Sequence, residues 1–408
     1  MMFSQAILFI LPASLVLALE KFTFVGLPVY FLEALFLVFI IVQIPKLREK
    51  KFRDRWRNVD RVLVLGGALF VVGAAVATLS QGQLVSPTSL GQLKSWFFFP
   101  AIVAITFYTL QEGKRQERRL FYGGWLVGVT IVALTALYGY GQGLLTYDER
   151  LAFPYNSPNF LALIVAPGIL LATFFLHQVR GWPKRAFLLS LQGLFFTVLY
   201  LSHSYNAWGS LILASFMTFA ILGIQKVGSK HAYKLTGFVV AGALLLGGLF
   251  LLEQGSNKWE NLLLENGRSS LDSRVMIWQS GLMILKDHWF VGIGVGNFQP
   301  EYLVYQKYFK PYLEWSVPQP HNLLLAVWLQ AGLLGLCGFI LMVYRIMSRL
   351  YKRMQRRGSN EGILLLGLWL LFLGYGLIDT PYFRNDLAFL FWSQILLTYW
   401  YVEEKEPL

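Results

Sequence analysis

Cysteine is nearly absent: Cys337 is the single one in 408 residues, and it lies inside an apolar run. Internal disulfides and thiolate metal clusters are thereby excluded. Charge is scarce as well, at 14% of residues, and acidic side chains are the scarcer kind, 22 against 35 basic ones. Soluble domains carry about a quarter charged residues, so this chain lacks the polar surface a water-exposed fold needs. Missing too are low-complexity segments and an inverted internal repeat of the kind many secondary transporters carry. The first apolar stretch leads directly into a second without a small-residue cleavage pattern, so no cleavable signal peptide is expected.

Apolar residues are abundant, at 56%. They fall in runs near the length needed to cross a hydrocarbon core of about 30 Å. The periodicity predicts twelve spans, centred near residues 12, 35, 71, 102, 130, 168, 194, 216, 244, 333, 371 and 395. The expected fold is therefore an all-α integral membrane protein of about 12 transmembrane helices, one polytopic domain over residues 1–408. An even number puts both termini on one side.

Most of the basic residues sit in alternate connections, above all Lys46–Arg57, Gly113–Arg119 and Arg345–Arg357. This is the positive-inside pattern, which makes those loops and both termini cytoplasmic, with anionic membrane lipid as partner. The net charge of +13 is thus explained without nucleic acid. On the opposite side, one connection, residues 253–320, is far longer than a turn and is expected to form an extracytoplasmic subdomain folded over the membrane surface. It contains a helical pattern, SRVMIWQSGLMILKDH, and a turn-rich stretch, VGIGVGNFQPEY. No strand precedes the GIGVG run, so it reads as a tight turn and not a dinucleotide loop.

The outward basic residues need a reason, although a long translocated loop is largely exempt from the charge rule. Arg150, Arg274 and Arg384 have the most distinctive contexts. His321 stands where the long loop enters the tenth span. There a helix N-terminus keeps an imidazole neutral and able to accept a proton, as a general base requires, and it favours a nearby phosphate. An interfacial histidine hydrogen-bonded to its loop is the ordinary alternative. Asp379 is placed to orient His321 or Arg274, or to pair with Arg384. Glu33, inside the second span, is a site candidate by position, with an interior hydrogen bond as the plainer reading. Gly332, Gly335 and Gly338 most simply permit close helix packing. The outward face has no dense metal-ligand cluster, and no cofactor is expected.

His321 and Asn322, nine residues, then Gly332 and Gly335, together resemble the signature of the O-antigen ligase and Wzy-type polymerase superfamily. Arg274, Trp278, Gly294, Gly296, Asn297 and Phe298 are similar to that superfamily's outer loop, and RLAFPYNSPN, with Arg150 and Asn159, resembles its Arg and Pro-Asn segment. The resemblance covers most of the chain from about residue 120. It implies a GT-C-like bacterial inner-membrane transferase. Its donor is a glycan on undecaprenyl diphosphate, and its acceptor is a hydroxyl of a glycan, lipid or protein outside the cytoplasm. Arg274, and after it Arg150, would stabilise the departing diphosphate, and His321 would deprotonate the acceptor, with inversion and without a metal. Asn159, Asn322, Asp379 and Arg384 complete the expected diphosphate- or glycan-binding set. In one place the chain departs from the pattern: SHSYNAWG has Tyr205 and Asn206 where relatives carry a second arginine. The alternatives are a polymerase of the same superfamily and, on span number alone, a transporter or flippase.

Overall fold

The structure is a computed structural model that describes residues 2–24, 27–43, 59–82, 86–224, 247–248, 270–309, 317–356 and 358–404. Among these, one hairpin of β1 (Lys21–Phe24) with β2 (Leu27–Tyr30) interrupts an otherwise helical chain. The first six helices are α1 (Met2–Ala13), α2 (Phe31–Gln43), α3 (Arg61–Leu79), α4 (Pro87–Leu93), α5 (Phe99–Leu110) and α6 (Arg115–Gly141). A π turn, Lys94–Phe98, joins α4 to α5 without a break. Then follow α7 (Pro158–Leu176), α8 (Trp182–Ser202), α9 (Tyr205–Ile224), α10 (Ser270–His288), α11 (Phe298–Tyr305), α12 (Leu323–Arg356), α13 (Asn360–Gly376) and α14 (Asn385–Glu403).

Eleven of the expected span centres fall in these helices, and the one near residue 244 lies outside the described residues. Seven helical stretches among the described residues are long and apolar enough to cross a membrane: α3, α4–α5, α6, α7, α8, α9 and α12. The protein is a multi-pass helical bundle, and the count of twelve is not reached by that measure. Two of the shortfalls have a physical cause. α13 is a shorter apolar helix. α14 is buried on every side, from Asn385 to Tyr401, so it can hold Gln394, Ser393 and Thr398 in protein contact and need not dissolve in lipid. Peripheral helices show the opposite pattern: Leu65, Val72, Val76 and Leu79 of α3 are exposed and apolar.

Residues of the basic stretches are held in ion pairs between helices. Asp60 caps α3 by accepting from the Val62 and Leu63 N–H groups, and takes Arg345 and Arg349 of α12 at 2.8 Å each. Arg118, fully buried, donates to both oxygens of Glu361 at 2.6 and 2.9 Å, to the Gly113 carbonyl, and to Glu404. These pairs join the ends of α3, α6, α12, α13 and α14 on one face of the bundle. The other face carries residues 142–157, 202–205, 270–309, 317–323 and 377–384.

Candidate active site

α12 is two helical segments. At Gly332 the backbone leaves helical space (φ 66°, ψ −177°). The freed groups are taken up by the turn after α10: Ile293 donates to the Leu329 carbonyl at 2.7 Å, and Leu333 donates to the Phe290 carbonyl at 2.9 Å. The fit excludes side chains on both strands of this exchange, since a Cβ on Gly332 would stand 2.4 Å from the Val291 oxygen and one on Gly292 2.5 Å from the Leu329 oxygen. The GIGVG run is a tight turn, as expected, with positive φ at Gly292, Gly294 and Gly296. Gly335 and Gly338 do serve close packing against α3, where a Cβ on Gly73 would meet the Gly335 nitrogen at 2.4 Å. Gly332 does not, which corrects its reading as a packing glycine.

The break sets where α12 begins. Gly362 lies against Met354, and Gly376 lies against Leu323. About 21 Å of α13 separates Gly362 from Gly376, whereas about 46 Å of straight helix would separate Met354 from Leu323. Only a bent α12 satisfies both contacts. Its first segment packs Leu325 and Leu329 into a small core with Met276, Ile277, Ile284, Ile293 and Phe298 of the long loop. Its tip comes down beside the end of α13, where Asn322 donates to the Leu377 carbonyl at 3.0 Å.

His321 precedes the cap and is not itself the cap. Asn322 performs that role, accepting from the Leu325 N–H at 3.0 Å, while His321 adopts a left-handed backbone (φ 50°). Its carbonyl receives the Trp278 indole N–H at 3.1 Å. Its Nδ1 lies 3.0 Å from Asp379 Oδ1, with the imidazole 29% exposed and the carboxylate 2%. An ionised carboxylate can only accept, so Nδ1 carries a proton, and a neutral ring in this pose has its lone pair on Nε2. Burial alone would raise the Asp379 carboxyl. His321, then Arg274 and the Thr380 N–H, outweigh it and hold the group below the usual carboxylate range. Arg274 donates from Nε to the Ile378 carbonyl at 3.1 Å, one residue from Asp379. Of the three open roles for Asp379, the structure selects His321 as its direct partner, with Arg274 as a nearby charge.

Beneath this centre, Tyr375 donates to the Asn159 carbonyl at 2.8 Å, and Ser204 donates to Asn159 Oδ1 at 2.9 Å. Asn206 donates to the Tyr375 carbonyl at 3.2 Å. Thus Asn159 and Asn206 both brace Tyr375, whose carbonyl also receives the Asp379 N–H. Arg384 pairs with Asp386 at 3.2 Å and not with Asp379. Its guanidinium lies 4.6 Å from the ring centres of both Tyr155 and Phe160. Arg150 pairs with Asp148 at 2.6 Å in the loop before α7; its neighbour Leu151 donates to the Leu201 carbonyl at 2.9 Å. Sequence reasoning missed Tyr375 and Ser204 as members of this assembly, whereas Trp278 was named with Arg274.

A multi-pass helical bundle that gathers an oriented histidine, a buried carboxylate and guanidinium groups on the face opposite its basic ion pairs defines a membrane protein with polar chemistry on one side. Residues 186–340 match the model of the O-antigen ligase family (Wzy_C). The matched stretch includes Arg274 and His321 and ends before Asp379. No curated protein matches the chain.

Proposed function

We propose that the protein transfers a glycan from a polyprenyl diphosphate, of the undecaprenyl type, to an acceptor hydroxyl at the extracytoplasmic face of a bacterial inner membrane. The observation that carries this reading is the His321–Asp379 pair with Arg274 held at Ile378. His321 Nε2 takes the hydroxyl proton while the acceptor oxygen bonds to the anomeric carbon. The bond from that carbon to the diphosphate oxygen breaks, and the diphosphate leaves with the electron pair. Attack opposite the leaving group inverts the centre. Arg274 balances the charge that grows on the diphosphate, with Arg384 and Arg150 placed for the remainder of the donor. Asp379 holds the tautomer and stabilises the imidazolium.

Twelve spans with both termini cytoplasmic follow from the charge pattern, the face of Asp60, Arg118 and Arg345 being the inner one. The family's description favours the ligase form. Purified protein given lipid-linked glycan and an acceptor should make a single transfer, and a ladder on the lipid carrier would point to polymerase instead. His321→Ala and Arg274→Ala should each abolish turnover; full activity in both rejects the assigned roles. A transporter reading gains little from the Gly332 break, because loop backbone fills it.

A further inference from the structure

A second polar cluster lies on the same face as His321. At the start of α2, Glu33 accepts the Tyr30 N–H at 3.1 Å and pairs with Lys94 at 2.5 Å. Lys94 opens the π turn between α4 and α5, a distortion that recurs at functional sites because one extra residue re-aims a side chain. The Tyr30 hydroxyl faces the Asn385 amide and lies within electrostatic reach of Glu33, Arg384 and Asp386. Asn385 follows Arg384, whose guanidinium stacks on Phe160, and the next residue back, Asn159, supports Tyr375 under Asp379. The first turn of α7 therefore links this cluster to the His321 centre.

Two of its buried polar atoms lack a full set of partners: Glu33 Oε1, an acceptor, has none, and Asn385 Nδ2, a donor, has only the Tyr30 hydroxyl that it faces. Their residues are 3% and 7% exposed, while the Lys94 side chain is 33% exposed. The cluster thus has a buried polar floor and an open lip. Leaving such atoms unpaired costs about 1–3 kcal/mol each. An acceptor beside a donor complements a hydroxyl, which does both. The charges cancel, Glu33 with Lys94 and Asp386 with Arg384, so a phosphate gains nothing here and meets a carboxylate at the floor. Phe22 of β1 and Phe31 at the start of α2, exposed and 5.3 Å apart between ring centres, add apolar faces beside it.

We propose that Tyr30, Glu33, Lys94 and Asn385 form a subsite for a neutral sugar ring of the glycan substrate, beside the His321 centre. This rests on the glycan-transfer reading, and the ring can belong to the donor or to the acceptor. The test uses the full chain in nanodiscs. Saturation-transfer NMR is recorded with the free oligosaccharide released by mild acid from the native polyprenyl-linked glycan. Wild type and His321→Ala should give equal signal. Glu33→Gln and Asn385→Ala, at unchanged melting temperature, should each weaken binding at least about fivefold, the loss expected for one hydrogen bond. The double variant Glu33→Gln/Lys94→Met removes the ion pair while keeping charge balance. A merely structural pair predicts that the double variant restores binding; a sugar subsite predicts that it stays weak. Should any of these fail to fold, Tyr30→Phe, which removes only a hydroxyl, carries the same expectation.

In turnover, Glu33→Gln should raise one KM about fivefold with kcat within about twofold, and whether the donor or the acceptor KM moves identifies the ring's source. No signal from wild type, or equal binding by wild type, Glu33→Gln and Asn385→Ala, overturns the subsite. If wild type transfers glycan yet these variants bind normally, the subsite alone falls. If the variants lose binding but wild type transfers nothing, the transferase reading falls and the sugar site stands.

Discussion

The 3.0 Å contact between His321 Nδ1 and Asp379 Oδ1 joins residues on two different helical units, the tip of α12 and the loop after α13. A pair assembled in this way depends on both the carboxylate's charge and the position of the two tips.

Replacing Asp379 by asparagine keeps the shape but removes the charge that selects the Nδ1–H tautomer. Turnover should fall by about a hundredfold or more, the scale of general-base catalysis, with acceptor KM little changed. The pH dependence of stability has a defined sign. The folded-state carboxyl is held below its unfolded value of about 3.9, so its contribution is complete above that pH and is lost as pH falls through the lowered value. Thermal melts between neutral pH and pH ~3 should show this acid loss in wild type and a weaker one in Asp379→Asn. Identical acid limbs would reject the assignment.

Gly332→Ala places a methyl against the Val291 carbonyl at a positive φ. Backbone strain of about 1–3 kcal/mol is expected, read as a lower melting temperature. Turnover should fall as well, although Gly332 touches no substrate, because the tip bearing His321 loses its direction. Normal melting with normal turnover would mean that α12 tolerates a straight path.

On the face of the basic ion pairs, Arg118→Met leaves the Glu361 carboxylate buried without its main partner. A loss of roughly 3–5 kcal/mol is expected, and the double variant Arg118→Met/Glu361→Gln should recover much of it. Denaturation of the purified proteins in one detergent checks the cycle. A double variant no better than the single would show that Glu361 does not depend on Arg118.

Arg384→Lys keeps the charge but gives up the planar contact with Tyr155 and Phe160. A stability loss of about 1 kcal/mol is expected. With it should come a higher donor KM at nearly constant kcat, measured by steady-state transfer. An unchanged donor KM would restrict Arg384 to a structural role.

The membrane class and the two residues at the centre, His321 and Arg274, were legible because hydropathy and local strings report them directly. Asp379 was legible as a candidate with three open partners, since its choice of His321 depends on how α12 bends. That bend was hidden: glycines at three-residue spacing read alike whether they pack helices, as Gly335 and Gly338 do, or end one, as Gly332 does. The Glu33–Lys94 pair spans 61 residues and arises only when α2 meets the π turn. The inward arginines were read as lipid anchors, because nothing local announces that Arg118 will reach Glu361, 243 residues away. α14 shows why span counting fell short: a helix enclosed by protein carries polar residues that lower its hydropathy without changing its path.

The long outer loop is stitched to α12 by main-chain groups, Phe290 to Leu333 and Ile293 to Leu329. Peptide groups are the same whatever side chains they carry, so this seam asks only for small residues at Gly292 and Gly332. The rest of the loop surface can change while His321 keeps its pose, which separates variation of that surface from the upkeep of the His321–Asp379 pair.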